Sequence, residues 1–360
     1  ESDVETKIVF SGDIGKQNQL IVRDPHEIFA ADYLFLESTY GNRLHRSFED
    51  SKEELLEAIN YAVSKGEKVI IPAFAVERTQ EILYILGEFS RNGTLPDIPI
   101  YLDSPLAIKA TEIFRKNKRY YDEEAMAIVD KGFDPFDMPN LKFTPTTKES
   151  IEINERSGSA IIIAGSGMCT AGRIKHHLKH NLWRPGASMV IVGFQAKGTT
   201  GRKIVDGEKW VKIFRENVKV AAKVFTIGGF SAHADQKDLL EWVGHFVESH
   251  PRIFVVHGEA TASETLAGKI KETFHLEAYV PQWKERLILK PKEMALEVEE
   301  EKEIPIDYDQ MMLNNIIDLE KELNRLKKRI KKKEVKETIN EDDVEKLKYV
   351  QEEVQYILSG

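Results

Sequence analysis

Short, continuous apolar runs rich in β-branched residues alternate with amphipathic helical stretches through most of these 360 residues, and this alternation constrains the fold most. The runs at 33–36, 69–71, 98–101, 160–163 and 189–192 predict strands. The periodicity at 79–89, 106–114, 172–183 and 239–246 predicts helices. Strands that are apolar at every position, with helices between them, belong to α/β layering in which parallel strands are buried on both faces. Another run, Ile253-Phe254-Val255-Val256, leads into His257-Gly258-Glu259. Thr261 and Glu264 then carry the signature of a capping box ahead of a further helix.

The length suggests two domains with an appendage. Near residue 296 the texture changes to an acidic segment and a break at Pro305. Met312, Ile316, Leu319, Leu323, Leu326 and Ile330 then follow heptad spacing. A second helix, expected after the cap pair Asn340 and Asp343, carries Val344, Leu347, Val350, Val354 and Ile357. The pattern predicts a C-terminal helical hairpin over 296–360. It either packs back on its own body or serves self-association, as in a homodimer, or partner binding. The chain begins with Glu1 and reaches the apolar run Ile8-Val9-Phe10 almost at once, so a start inside a longer gene is the economical expectation.

Composition excludes several classes. No apolar run approaches the ~20 residues needed to span a bilayer, and no signal-peptide pattern opens the chain, so a cytoplasmic protein without membrane contact is expected. The single cysteine, Cys169, excludes an internal disulfide framework and a cysteine-based zinc site. A net charge of −9 argues against a general nucleic-acid coat, while leaving room for a local basic groove.

Polar residues at strand ends mark where α/β folds place their sites. Asp13 sits between glycines in Ser11-Gly12-Asp13-Ile14-Gly15, as a metal-approaching carboxylate or a turn aspartate. Glu37 ends a strand, to ligate a metal, to orient a histidine or simply to face solvent. His233 lies between a glycine pair and a helix expected to be capped by Asp235, with a pKa range suited to proton transfer. His257 follows four apolar residues, a position suited to metal ligation or phosphate contact. His176, His177 and His180 lack the glutamate of a zincin pattern and sit among lysines, which favours a basic helix face. The loop 165–172, which contains Ser166 and Gly167, and the loop 198–202, which contains Thr199 and Arg202, are glycine-bounded and suited to phosphate. They match neither the dinucleotide fingerprint nor a P-loop. With Arg173, Lys175, Lys179, Arg184, Lys197 and Lys203 they form either a backbone-binding surface or a solvated face.

Taken in order, the segments 11–15, 37–41, 72–80, 102–107, 165–173, 193–204, 229–235 and 256–259 resemble the β-CASP branch of the metallo-β-lactamase superfamily. The likeness is nearest to its prokaryotic RNA-processing nucleases of the cleavage-and-polyadenylation-factor type. The resemblance covers roughly residues 5 to 292. It implies part of an αββα hydrolase domain at 1–37, an inserted β-CASP domain with a Rossmann-like parallel sheet at 38–225, and the returning hydrolase part at 226–295. It implies RNA in the cleft between domains, two Zn2+ ions, Asp13 as the bridging carboxylate, and His257 as a ligand. His233 would protonate the leaving oxygen and Glu37 would orient it. The family's His-x-His-x-Asp-His motif and a further histidine belong ahead of Asp13, and this sequence contains neither. These 360 residues alone are therefore expected to bind zinc weakly and not to hydrolyse RNA. A non-catalytic RNA-binding or scaffold subunit of the same fold is the alternative. Glu77 stands where many members have glycine.

Overall fold

Continuous apolar runs become the strands of two parallel sheets in the computed structural model, which describes residues 5–290. The expected helical hairpin at 296–360 lies outside the described residues. In chain order the strands are β1 (Ile8–Phe10), β2 (Tyr33–Leu36), β3 (Val69–Pro72), β4 (Ile100–Leu102), β5 (Leu141–Phe143) and β6 (Ile161–Ala164). They continue as β7 (Ser188–Ile191), β8 (Trp210–Ile213), β9 (Glu216–Lys219), β10 (Lys223–Thr226), β11 (Arg252–Val255) and β12 (Ala278–Tyr279). The helices are α1 (Phe48–Ser64), α2 (Arg78–Arg91), α3 (Pro105–Lys116), α4 (Glu123–Asp130), α5 (Thr147–Glu155), α6 (Ile174–Asn181), α7 (Thr200–Val205), α8 (Gln236–Gly244) and α9 (Ala260–Phe274).

The larger sheet runs β10-β7-β3-β6-β4-β5 and the smaller β1-β2-β11-β12, every neighbouring pair in both being parallel. In the larger sheet, Val69 and Ile71 enter one core with Ile161 and Ile163, while Ile70 and Ile162 enter the core on the opposite face. Alternate side chains of a strand point to opposite faces, so a strand covered on both sides must be apolar throughout. Helices α1, α2 and α3 contribute to the first core, and α6 and α7 to the second.

The smaller sheet departs from that expectation. Val9, Leu34, Leu36, Ile253 and Val255 pack against apolar residues of α8 and α9. Its other face carries a stack of rings, Phe10 on Phe35 at 4.7 Å and Phe35 on Phe254 at 4.9 Å, ending in a Phe10 that is 71% exposed. Asp235 caps α8 as expected, accepting from the amides of Lys237 and Asp238 at 2.8 and 3.1 Å. The capping box expected at Thr261 and Glu264 does not form. The N-cap of α9 is Glu259, because Gly258 lies so close to Ser38 that a Cβ would clash with its hydroxyl, and the backbone turns into the helix at once.

Ahead of α2, Glu77 has φ +68° and ψ −69°, and the Arg78 amide donates to Val76 O at 2.9 Å to close a three-residue turn. A side chain in this region costs on the order of 1–3 kcal/mol, against roughly 0.5–1 for the extra freedom glycine brings to the unfolded chain. Glu77→Gly should therefore raise stability by about 1 kcal/mol, read as a higher denaturant midpoint at unchanged slope. A fall would show that the Glu77 side chain stabilises the turn by more than its backbone costs.

Candidate active site

The ends of β1, β2 and β11, with the loop before α8, bring together four residues far apart in sequence. Glu37 follows β2 and is 1% exposed. Its Oε1 accepts the Ile14 amide at 2.6 Å and its Oε2 the Thr39 amide at 3.4 Å. Both oxygens lie 3.1 Å from His233 Nδ1. A carboxylate with these donors is a fixed acceptor, so Nδ1 carries the proton and Nε2 is the ring nitrogen left for the cleft that His233 lines. The Glu37 hydrogen bond raises the His233 pKa, against burial that lowers it, with the Glu37 and Asp13 charges adding to the rise.

The loops around this pair are knitted to one another. The Ala234 amide donates to Ile14 O at 2.7 Å, and that of Lys16 to Ala232 O at 3.3 Å. His45 Nε2 lies 2.9 Å from His233 O, while the His45 amide donates to Asp235 Oδ2 at 2.8 Å. The imidazole is thus held through its ring and its backbone.

Asp13 follows β1 and His257 follows β11 in a left-handed conformation, φ +52°. His257 Nδ1 is 3.1 Å from Asp13 Oδ1, both side chains are well exposed, and the rings of His233 and His257 are 6.1 Å apart. Donors on one tetrahedral zinc, at bonds of ~2.0–2.2 Å, stand about 3.3 Å apart, so the Asp13–His257 spacing fits two donors on one cation. Among the described residues, Asp13, Glu37 and His233 form the one three-residue group within metal-ligating range, their nearest atoms lying within 4.8 Å of each other. Since Glu37 is buried and already accepts from two amides and a ring, that group reads as one free donor beside an orienting pair. The donor chemistry, a carboxylate oxygen and an imidazole nitrogen, suits zinc.

Asp13, His233 and His257 line a cleft of about 990 Å³ between the two sheets, with Glu37 buried behind them. Its far wall comes from the end of β3, with Phe74, Glu77 and Arg78, and from Met168, Phe194 and Lys197. Of the residues expected to meet phosphate, Ser166, Gly167, Arg173, Lys175, Thr199 and Arg202 are not among those lining it. Each has a role in holding its own segment. Ser166 Oγ accepts from the amides of Thr170 and Ala171 at 3.2 and 3.3 Å. Gly167 O accepts from Gln195 Nε2 at 2.9 Å. Thr199 caps α7. The Lys175 ammonium stands 4.7 Å from the centre of the Phe214 ring. Arg202 pairs with Asp206 at 2.8 Å and approaches Glu259 at 3.5 Å.

Arg173 is bonded to Asp103 at 2.9 Å and to Thr144 O at 2.7 Å, which makes it a strut of the larger sheet's edge, not a free cation. Of the α6 histidines expected on a basic helix face, His176 and His180 are exposed, but His177 is not on that face. His177 is fully buried, with Nε2 2.7 Å from Asp103 Oδ2 and Nδ1 3.0 Å from Asn154 Oδ1. The cleft cations Arg23 and Arg78 carry no signal of their own in the sequence, although Arg78 falls inside the 72–80 segment.

Known proteins bear on this geometry. Residues 79–204 match the family described as the Beta-Casp domain, and residues 217–281 the one described as the Zn-dependent metallo-hydrolase RNA specificity domain. The chain is 41% identical over 252 residues to Ribonuclease TTHA0252 of Thermus thermophilus, covering 70% of this chain and 57% of that one. It is 35% identical over 256 residues to transcription termination factor FttA of Thermococcus kodakarensis, covering 69% and 39% respectively. It is also 33% identical over 279 residues to an RNase J-like protein of Methanocaldococcus jannaschii, covering 76% and 63%. Fold and site together define a mixed α/β protein with the strand-end carboxylate and histidine pattern of a metallo-hydrolase. The chain belongs to the β-CASP branch of the metallo-β-lactamase superfamily. It spans between 39% and 63% of the length of these three relatives. No helix of the described residues is long and apolar enough to cross a membrane.

Proposed function

We propose that this chain contributes the proton donor, part of the metal cage and the insertion domain of a zinc-dependent RNA phosphodiesterase that acts in RNA processing or decay in the cytoplasm. The observation that carries the reading is the His233–Glu37 pair beside Asp13 and His257 at the mouth of the cleft. In it, residues 1–37 and 226–295 belong to the hydrolase domain and 38–225 to the β-CASP insertion. Asp13 would bridge two zinc ions and His257 would hold one of them. Bound zinc would lower the pKa of water and neutralise charge on the phosphoryl oxygens.

The chain's own residues do the rest. Glu37 fixes the tautomer and plane of His233, and His233 delivers a proton from Nε2 to the departing ribose oxygen, which would otherwise leave as a costly alkoxide. Arg78 and Lys197 line the opposite wall, where a phosphodiester strand would run. The relatives named as ribonucleases and the RNA specificity domain support RNA as the polymer.

Two donors do not hold zinc tightly, so the 360 residues should bind it weakly, in calorimetry or by competition with a chromogenic chelator. That binding should vanish in Asp13→Ala and in His257→Ala. Cleavage of 5′-labelled RNA should require an extended polypeptide carrying a His-x-His-x-Asp-His motif ahead of residue 1. Full activity of the 360 residues that persists in His257→Ala would overturn the assignment.

A further inference from the structure

Beyond α7 the chain forms an antiparallel hairpin, β8 with β9, whose two faces differ in kind. Val211, Ile213 and Val218 are buried in the core that also holds Ile174 and Leu178 of α6. The opposite face exposes Trp210, Lys212, Asn217 and Lys219, with Trp210 paired across the strands to Lys219 and Lys212 to Asn217. The amides of Ala221 and Ala222, just past β9, both donate to Leu182 O at 2.9 Å. That bond sets Trp183, with Arg184 4.7 Å from its ring, at the hairpin's foot. Trp210 is 56% exposed and Trp183 50%, which makes two of the chain's four tryptophans surface residues of one region.

The charge here opposes that of the chain. Residues 209–223 hold five basic side chains and one acidic, Glu216, on a protein of net charge −9. Glu216 itself is engaged by Lys179 at 2.6 Å. Among the described residues no carboxylate lies within ion-pair distance of Lys212 or Lys219. A local positive surface on an acidic body draws a polyanion to that place and repels it elsewhere. Exposed flat rings beside the lysines narrow the class further. Single-stranded nucleic acid offers phosphates to the ammonium groups and unstacked bases to the indoles, whereas a duplex hides its bases and an acidic polypeptide has none.

We propose that the outer face of the β8–β9 hairpin, with Trp183 at its foot, is an accessory surface for single-stranded RNA, outside the cleft. The choice of RNA as the strand rests on the functional reading above; the surface chemistry does not. Fluorescence anisotropy of labelled oligouridine with the full 360-residue chain, over a range of salt, tests it. Stacking on an aromatic contributes on the order of 1–3 kcal/mol per base, so Trp210→Ala should weaken binding about tenfold. Trp210→Phe, which keeps a ring in the same strand, should retain most of the affinity. Lys212→Ala with Lys219→Ala should flatten the slope of log affinity against log salt by about 0.7 for each phosphate that is no longer neutralised.

Wild-type binding that these variants leave unchanged in affinity and salt slope overturns the hairpin surface alone. Equal losses in Trp210→Ala and Trp210→Phe overturn the stacking, and so does displacement by duplex RNA or polyglutamate as effective as by unlabelled oligouridine. A wild-type chain that binds no oligouridine overturns the RNA reading of the cleft together with the hairpin.

Discussion

His233→Ala, placed in a polypeptide with a complete zinc cage, should slow RNA cleavage by about 10²–10⁴-fold, the usual contribution of one positioned acid or base, and leave zinc affinity unchanged. The division follows from the bonds. His233 spends Nδ1 on Glu37 at 3.1 Å, and the carboxylate it faces is buried and shared with the Ile14 and Thr39 amides. Its remaining nitrogen is thus presented to the cleft from a fixed plane. The loss should depend on the leaving group. A diester of p-nitrophenol, whose departing oxygen needs no proton, should be cleaved almost as well by the variant as by the parent. Glu37→Gln should follow the same pattern more mildly, because the amide preserves shape while presenting an N–H₂ where an acceptor is needed. Zinc loss in parallel with rate, or an equal loss on the p-nitrophenyl ester, would make His233 a ligand and not a donor.

The largest stability effect should come from Asp103, far from that chemistry. It is fully buried and accepts from Thr144 Oγ1 at 2.8 Å, Ser150 Oγ at 2.5 Å and Arg173 at 2.9 Å, with His177 Nε2 at 2.7 Å. Asp103→Ala removes the acceptor from all four at once and leaves the half-buried Arg173 cation without its counter-ion. Truncating one side of a buried pair costs about 3–5 kcal/mol, which urea denaturation would read directly; a loss below about 1 kcal/mol would mean that the network relaxes onto water.

The same carboxylate sets an acid limit. Burial pushes its pKa up, but the hydrogen bond and charge of His177, with the bonds from Ser150 and Thr144, hold it below the ordinary aspartate value. A depressed folded pKa means that the stabilisation is fully present above the unfolded value, about 3.9, and is lost as pH falls through the folded one. The stability gap between the parent and Asp103→Asn should therefore be constant near neutrality and close below about pH 4. A gap that widened on acidification would show that the carboxyl is protonated in the fold.

How much of this is legible in sequence depends on whether the signal is local. The apolar runs locate every strand of the larger sheet's centre, since burial on both faces leaves no other composition. Asp13, Glu37, His233 and His257 stand out as polar residues at strand ends. The partnership of Glu37 with His233 spans 196 positions and comes from the family resemblance, not from spacing. At His177 the flanking Lys175 and Lys179 mislead. The buried stripe of α6 is Ile174, His177, Leu178 and Asn181, the i, i+3, i+4, i+7 pattern of a core-facing helix, and counting it would place the imidazole inside. The phosphate-suited loops show a different limit. Glycine and hydroxyl composition reports that a loop is tight, but not whether its amides are already spent, as those of Thr170 and Ala171 are on Ser166.

The register of the smaller sheet has a consequence for how the chain acquires its structure. β2 and β11 pair with Tyr33 beside Arg252, and every strand of the larger sheet lies between them in sequence. Closing so long a loop in an unfolded chain is kinetically slow, although its entropic cost grows only logarithmically with length. Once the intervening segment has folded, its ends lie together: Gly229 packs so tightly on the start of α1 that a Cβ there would clash with Ser51 Oγ. Folding of the intervening segment thereby shortens the loop that β2 and β11 must close. On a ribosome, every strand of the larger sheet emerges before residue 252, so a chain stalled between β10 and β11 holds all of that sheet's sequence while β2 still lacks its partner β11.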